Sequence, residues 1–490
     1  MLLDAQNILL LGSILLFISI VASKTSFRLG IPTLILFLGI GILAGSEGPG
    51  GIYFDDPKTA QFLGILALSF ILFSGGLDTK WESIKPVIWQ GIMLSTFGVV
   101  LTAASVGIFV HLVFNFSIEE GLLLGAIVSS TDAAAVFSIL RTKSLGLKGN
   151  LRPLLELESG SNDPMAIFLT ISLTYLIANK DFSVVSIAPM FFQQMIIGAL
   201  FGYGIGRLMI WIVNKIKLDV EGLYPVLIMA LVTFTYSFTD FVGGNGFLAV
   251  YLSGLVLGNS NFIHKKSLIK FYDGIAWLMQ IVMFLALGLL VYPSKVFPLV
   301  GIGLLISFFL IFIARPIAVF ISLLFFKLNF RKKLMISWVG LKGAVPIVLA
   351  TFPLIANLEY AETIFNLVFF ISATSILIQG TTLPIVAKWL KVSVPEKIRR
   401  KFPIDLELSD GMKSELVEYD LDSSCPCIGK SIVEIGFPKA ALIVLINRKG
   451  KYITPNGATI IEENDHLLVM ADDKFSLKKF EEVLGINVSR

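Results

Sequence analysis

Residues 125–137 read G-A-I-V-S-S-T-D-A-A-A-V-F. Within this apolar run stand one acid, Asp132, and three hydroxyls, Ser129, Ser130 and Thr131. Hydroxyl side chains bond nearby backbone groups and weaken a helix. The stretch is predicted to unwind inside a membrane span and present its carbonyls. The alternative is a continuous helix with Asp132 bonded to a neighbour. An ionisable group at membrane depth costs free energy and marks a functional site by default.

Downstream, residues 155–168 read L-E-L-E-S-G-S-N-D-P-M-A-I-F. Ser159, Asn162 and Asp163 fall at i, i+3 and i+4 and share one helix face. Pro164 has no N–H, so the carbonyl of Gly160 loses its usual partner. Three oxygen-bearing side chains and a freed carbonyl suit a hard cation. A solvated helix start rich in capping residues is the competing reading, and Glu156 and Glu158 fit it better than Asp163 does.

Residues 336–350 read I-S-W-V-G-L-K-G-A-V-P-I-V-L-A. Lys342 lies mid-span between Gly340 and Gly343, with Pro346 beyond, which is a second broken-helix signature. A buried lysine needs a carboxylate partner, expected here to be Glu158 or Asp132. Arg315, before Pro316, is a further buried base.

The rest of the chain sets the depth of these charges. Of 490 residues, 55% are hydrophobic and 15% charged, where soluble domains run near a quarter charged. The mean hydropathy is +0.84. Most of the chain therefore belongs in lipid, where each helix must satisfy its own backbone. The 42 glycines suit close helix packing, as at Gly198, Gly202 and Gly206. A span needs roughly 20 apolar residues. On that rule about thirteen spans lie near 6–23, 31–46, 58–76, 86–113, 119–140, 153–178, 187–214, 222–241, 246–260, 269–291, 297–326, 333–356 and 361–389. The first reads as a retained span, since no basic n-region or cleavage site precedes it.

With the seventh span set aside as a connector, spans 1–6 and 8–13 form two halves, and the broken span is fifth in each. Interrupted segments at matching positions point to an inverted-repeat transporter. Loop charges alternate. Lys80 and Lys85, Arg141 to Arg152, Lys215 and Lys217, Lys265 to Lys270, and Arg331 to Lys333 fall on one side. Glu119, Glu120, Asp181, Asn245, Glu359 and Glu362 fall on the other. Basic loops stay in the cytoplasm, which puts the N-terminus outside and the C-terminus inside. The expected fold is therefore an all-α polytopic protein with inverted repeats, followed by a small cytoplasmic α+β domain. The divisions are 1–390 for the membrane domain, 391–404 for a basic linker and 405–490 for the tail.

In the tail, strands are expected at 440–447, 451–454 and 466–471 and a helix at 477–484, with turns at 448–450 and 455–457. No G-x-G-x-x-G occurs, so the tail is not a dinucleotide-binding lobe by itself. Cys425 and Cys427 are read as reduced thiols, and His111, His264 and His466 as scattered, bland residues. The net charge of +4 shows no basic patch and implies no nucleic-acid partner.

Several motifs together resemble the monovalent cation:proton antiporter-1 family over nearly the whole chain. They are I-P-T-L-I-L-F-L-G-I-G-I-L-A-G (31–45), L-F-S-G-G-L (72–77), S-S-T-D-A-A-A-V (129–136), E-S-G-S-N-D-P (158–164), G-F-L-A-V-Y-L-S-G-L-V-L-G-N (246–259), A-R-P (314–316) and G-L-K-G-A-V (340–345). The resemblance implies a thirteen-helix homodimer with broken helices crossing at the fifth and twelfth spans. It implies that Asp163 binds cation or proton with Asn162 beside it. Thr131, Asp132 and Ser159 support the site, and Asp163, Ser159 and Thr131 are transient ligands to a monovalent cation. Glu158 would pair with the base of the twelfth span, in a set with Lys342 and Arg315. An Asn-Asp pair implies electroneutral exchange. Two departures stand out: Lys342 where the family usually has arginine, and Ser74 where some members have an acid, which weakens an inference to sodium. The tail is similar to the C-lobe of potassium-conductance regulator domains, on G-K-S-I-V-E-I-G-F-P (429–438), I-N-R-K-G (446–450), T-P-N-G-A-T-I-I (454–461) and N-D-H-L-L-V (464–469). That combination implies the potassium/proton exchanger subgroup, a dimer, and a small cytoplasmic regulator such as a nucleotide at the tail.

The expected function is exchange of potassium for protons across the inner membrane, with the tail regulating it. A sodium/proton antiporter of the same fold is the first alternative. A cation channel is the second, but no T-V-G-Y-G-type filter is present. No H-E-x-x-H, triad or phosphate loop occurs, so neither an enzyme nor a cofactor is expected.

Overall fold

The structure is a computed structural model. It describes residues 5–29, 32–179, 183–395, 415–421, 425–438, 440–448 and 450–485. Lys180, Asp181 and the greater part of the basic linker lie outside the described residues. The chain divides into two units, Met1–Lys397 and Ile398–Arg490.

The first unit is helical. In order it contains α1 (Ala5–Leu29), α2 (Thr33–Ala44), α3 (Pro57–Asp78), α4 (Trp81–Phe114), α5 (Ile118–Ile127), α6 (Ala133–Thr142), α7 (Leu151–Ala178) and α8 (Val184–Lys215). Then come α9 (Leu223–Phe241), α10 (Gly246–Gly258), α11 (Lys265–Leu289), α12 (Pro293–Ser322), α13 (Phe330–Trp338), α14 (Val345–Ile355) and α15 (Ala361–Trp389). Seven of these are long and apolar enough to cross a membrane: α3, α4, α8, α9, α11, α12 and α15. Of the others, α1 contributes a shorter apolar stretch, Leu9–Lys24. Two apolar runs are split in two, α2 and α10 are short, and α7 carries charge in its first half.

The splits fall where the sequence predicts them. Residues 128–132 separate α5 from α6, and residues 339–344 separate α13 from α14. Two further irregularities, not expected from the sequence, match each other. Helix α4 widens into a π-type turn at Leu94–Gly98, and α12 does so at Leu310–Ala314, directly before Arg315. Such turns inside α-helices concentrate at functional sites.

Helix starts follow ordinary capping chemistry. Asp56 accepts from Lys58 N–H and Thr59 N–H at the head of α3. The Thr59 hydroxyl and these N–H groups hold its carboxyl below the usual range. Ser117 and Glu120 form a capping box on α5. Two main apolar cores result, beside smaller clusters. The larger gathers residues from α2 to α7, Phe247 and Tyr251 of α10, and residues from α11 to α15. The smaller is built from the outer faces of α3 and α11 with α8, α9 and α10. The glycines of α8 pack as expected: Gly198 meets Asn245, and Gly202 meets Ala249 of α10. A two-stranded ladder, β1 (Leu145–Leu147) with β2 (Ser393–Pro395), joins the α6–α7 loop to the segment after α15.

The second unit is an antiparallel sheet of order β3-β6-β4-β5. Its strands are β3 (Glu415–Asp420), β4 (Ala441–Arg448), β5 (Lys451–Ile453) and β6 (His466–Ala471). Helix α16 (Ile432–Ile435) and helix α17 (Lys474–Leu484) complete it. Three strands and the last helix fall within a few residues of their expected positions. Strand β3 and helix α16 lacked a sequence signal strong enough to assign. Cys425 and Cys427, read as separate thiols, are bonded to each other. The C-P-C spacing brings both sulfurs into the apolar core of the unit.

Candidate ion-binding site

The two non-helical stretches meet. Asp132 N–H donates to the Leu341 carbonyl at 2.8 Å, and a Cβ on Gly343 would strike the Asp132 carboxylate. Only glycine permits that approach. Asp132 itself caps α6, accepting from Ala135 N–H at 2.9 Å. The reading of residues 125–137 as a broken span therefore holds, with Asp132 spent as an N-cap.

Helix α7 runs past this crossing and supplies the rest. The Ser130 hydroxyl donates to Asp163 Oδ1 at 2.5 Å. Asn162 Nδ2 donates to Thr131 Oγ1 at 2.6 Å. The Ser159 hydroxyl donates to the Thr131 carbonyl at 2.8 Å and accepts from Ala133 N–H at 3.0 Å. The i, i+3, i+4 face of α7 thus lies along the unwound strand, as its spacing required. Asp163 is 6% exposed, and among the described residues no lysine or arginine pairs with it. Asn162 Oδ1 is buried without a hydrogen-bond partner. A carboxylate, an unspent amide oxygen and the hydroxyls of Ser130, Thr131 and Ser159 are therefore gathered in one place.

The bases distribute differently from expectation. Arg315 Nη2 pairs with Glu158 Oε1 at 2.5 Å, and both are buried. Lys342, 1% exposed, makes no ion pair among the described residues. Its ammonium donates to the carbonyls of Ser129 (3.2 Å) and Ser130 (3.0 Å). The prediction that residues 128–132 present carbonyls is met, but two of those carbonyls accept from a lysine. Lys342 is fixed from behind: its N–H donates to Ser375 Oγ at 3.0 Å, Ser375 donates to Gln379, and Gln379 donates to the Trp338 carbonyl at 2.9 Å.

Ser130, Ser375 and Gln379 were not singled out from the sequence as site residues. Ser130 had a signal, its place in S-S-T-D beside the acid. Ser375 and Gln379 had none, because hydroxyls and amides in an apolar helix are common and only the fold brings them to Lys342. The buried Ser74 keeps an uncharged side chain within α3.

A family model described as sodium/hydrogen exchanger, transmembrane, matches residues 13–389, and a TrkA-C domain model matches residues 416–485. The chain is 42% identical over 477 residues to a K(+)/H(+) antiporter NhaP2 of Shewanella sp. (strain ANA-3), covering 96% of this chain and 83% of that protein. It is 40% identical over 466 residues to a K(+)/H(+) antiporter NhaP of Alkalimonas amylolytica, covering 95% of this chain and 81% of the relative. Its fold is similar to that of the sodium proton antiporter MjNhaP1 from Methanocaldococcus jannaschii, with a TM-score of 0.68 and 24% identity over 77% of this chain and 97% of that one.

Proposed function

The chain belongs to the transmembrane sodium/hydrogen exchanger family and exchanges a cation for protons, and from that premise we propose that the cation is potassium and that Asp163 carries both ions in turn. The observation that carries this reading is the state of Asp163. It is a buried acid held by a hydroxyl, with no charged partner among the described residues. A carboxylate taken out of water without a base must be neutralised by something mobile. A proton does this, and so does a monovalent cation. Asn162 Oδ1 and the Thr131 and Ser159 oxygens lie beside it to complete a coordination shell.

The two neutralisers exclude each other on one carboxylate. If α7 and the crossing of residues 128–132 with 339–344 rock between faces, releasing one ion commits the site to bind the other. One negative charge neutralised by one positive charge gives one-for-one, electroneutral exchange. The Arg315–Glu158 pair is already balanced and takes no part in the count. Potassium is favoured over sodium because both antiporters named above at 40% identity or more are K(+)/H(+) antiporters.

The finer architecture we read as thirteen spans in two inverted halves around α8. The matched breaks before α6 and α14, and the matched π-type turns of α4 and α12, support it. The alternation of loop charge supports an external N-terminus and a cytoplasmic C-terminus. The TrkA-C module supports a regulatory tail. A homodimer and a small cytoplasmic regulator complete the proposal.

Everted vesicles carrying a pH-sensitive dye test the proposal. Potassium added to wild-type vesicles collapses a preformed pH gradient at lower concentration than sodium does, and Asp163→Asn abolishes the response to both. Undiminished cation-driven proton movement in Asp163→Asn would remove Asp163 from its role.

A further inference from the structure

Helix α10 is shorter than the hydrocarbon core is thick. Thirteen residues rise about 20 Å, against a hydrocarbon core about 30 Å thick. Its N-terminus lies against the middle of α7, beside Asp163, and Asn245 caps it there. Asn245 Oδ1 accepts from Leu248 N–H at 2.9 Å, and its backbone N–H donates to the Gln194 carbonyl of α8 at 3.0 Å. The amide nitrogen remains, and it donates to the carbonyl of Pro164 at 3.0 Å. Pro164 follows Asp163 in the chain. One turn earlier on α7, the ring of Tyr251 lies over Gly160, where a Cβ would strike it. Helix α10 therefore grips α7 at two points that bracket Asp163.

Helix α10 stands between two packing units. Its Val250 and Leu257 are held in the smaller apolar core with α8, α9 and the outer faces of α3 and α11. Its Phe247 and Tyr251 join the larger one, to which the inner face of α7 also belongs. Asn245 is 4% exposed, so water does not stand ready to replace the bond. A site that opens to two sides in turn requires α7 to shift against a neighbour that does not travel with it.

We propose that Asn245 is a positioning residue for the ion site: its amide holds the Asp163 turn of α7 against α10 in the arrangement seen here, and this bond breaks when Asp163 is presented to the opposite side. The proposal rests on the alternating-access reading above. One net hydrogen bond is worth roughly a two- to tenfold bias between two arrangements.

Asn245→Ser separates this role from capping. Serine still offers an oxygen to Leu248 N–H but is too short to reach Pro164. Asn245→Ala loses both bonds. Full-length protein in proteoliposomes gives the cation concentration for half-maximal exchange from each face, and thermal unfolding gives the stability. Asn245→Ser is expected to change the ratio of the two half-saturation values by about two- to tenfold, in favour of the face that this arrangement closes, with an unchanged melting temperature. Asn245→Ala is expected to change the ratio and also to melt earlier. A wild-type ratio in Asn245→Ser would overturn the proposal. So would a ratio that moves only in Asn245→Ala, in step with lost stability. Asp163→Asn measured alongside keeps the two ideas apart, because exchange surviving in that variant contradicts the Asp163 assignment and leaves the Asn245 ratio to be judged by itself.

Discussion

Glu158 and Asp163 lie five residues apart on α7, and both are buried. Glu158 is clamped by Arg315. Asp163 accepts one hydroxyl hydrogen bond, from Ser130. The same side-chain chemistry thus serves two ends, and the neighbour decides which. A buried carboxylate with a fixed base is already neutral as a pair and has no reason to release or take up an ion. A buried carboxylate without one must borrow its counter-charge from whatever reaches it. Lys342 sharpens the contrast from the other side: it is a buried base whose hydrogen bonds go to two backbone carbonyls of the unwound stretch, and that stretch also carries the hydroxyl bound to Asp163.

The comparison can be broken at either acid. The largest effect is expected at the clamped one. Glu158→Gln leaves Arg315 as an uncompensated buried charge, with Lys342 as a second base nearby. Removing one member of a buried pair costs about 3–5 kcal/mol. The variant should express poorly and melt well below wild type in detergent, and Glu158→Gln combined with Arg315→Met should recover part of the loss. A wild-type melting temperature in the single variant would show that the pair does not hold the fold. A smaller effect is expected at Ser130. Its hydroxyl stabilises the charged carboxylate in the interval between ions, and a hydrogen bond to an ion is worth about 1.5–3 kcal/mol. Ser130→Ala should therefore bind cation more tightly and release it more slowly. Measured at a pH high enough that protons do not compete for Asp163, its half-saturation concentration should fall by about tenfold or more, with a lower maximal rate. A raised half-saturation concentration would instead make the Ser130 oxygen a ligand.

Much of this was legible in the residues. The two breaks in helix were announced by S-S-T-D (129–132) and G-L-K-G (340–343), because hydroxyls and glycines weaken helices whatever surrounds them. The shared face of Ser159, Asn162 and Asp163 followed from helical spacing alone. Partner choice was not legible. Sequence placed three acids and two bases at membrane depth and expected Lys342 to meet Glu158 or Asp132. Which base reaches which acid depends on side-chain length and the ångström-scale crossing of α7, α12 and the residues 339–344. The longer, forked Arg315 side chain, set just after the π-type turn of α12, takes Glu158 instead. Asn245 was legible only as a loop residue, in the turn G-G-N-G (243–246), on the side opposite the basic loops. Nothing local shows that the turn sits at the level of Asp163, since that depth is set by how far α10 is drawn in against α7 and α8. In the tail, β3 lies beyond a linker with no pattern of its own, and its pairing with β6 is long-range.

The most direct test is a proton count on binding. Purified full-length protein in weakly buffered detergent solution, near the pH of half-maximal exchange, is titrated with potassium while the released acid is recorded. One ion displacing another on a single carboxylate predicts an acidification that saturates with cation, that reverses on dilution, and that vanishes in Asp163→Asn. A release of equal size in Asp163→Asn, or potassium binding to the wild type with no proton released, would contradict the account.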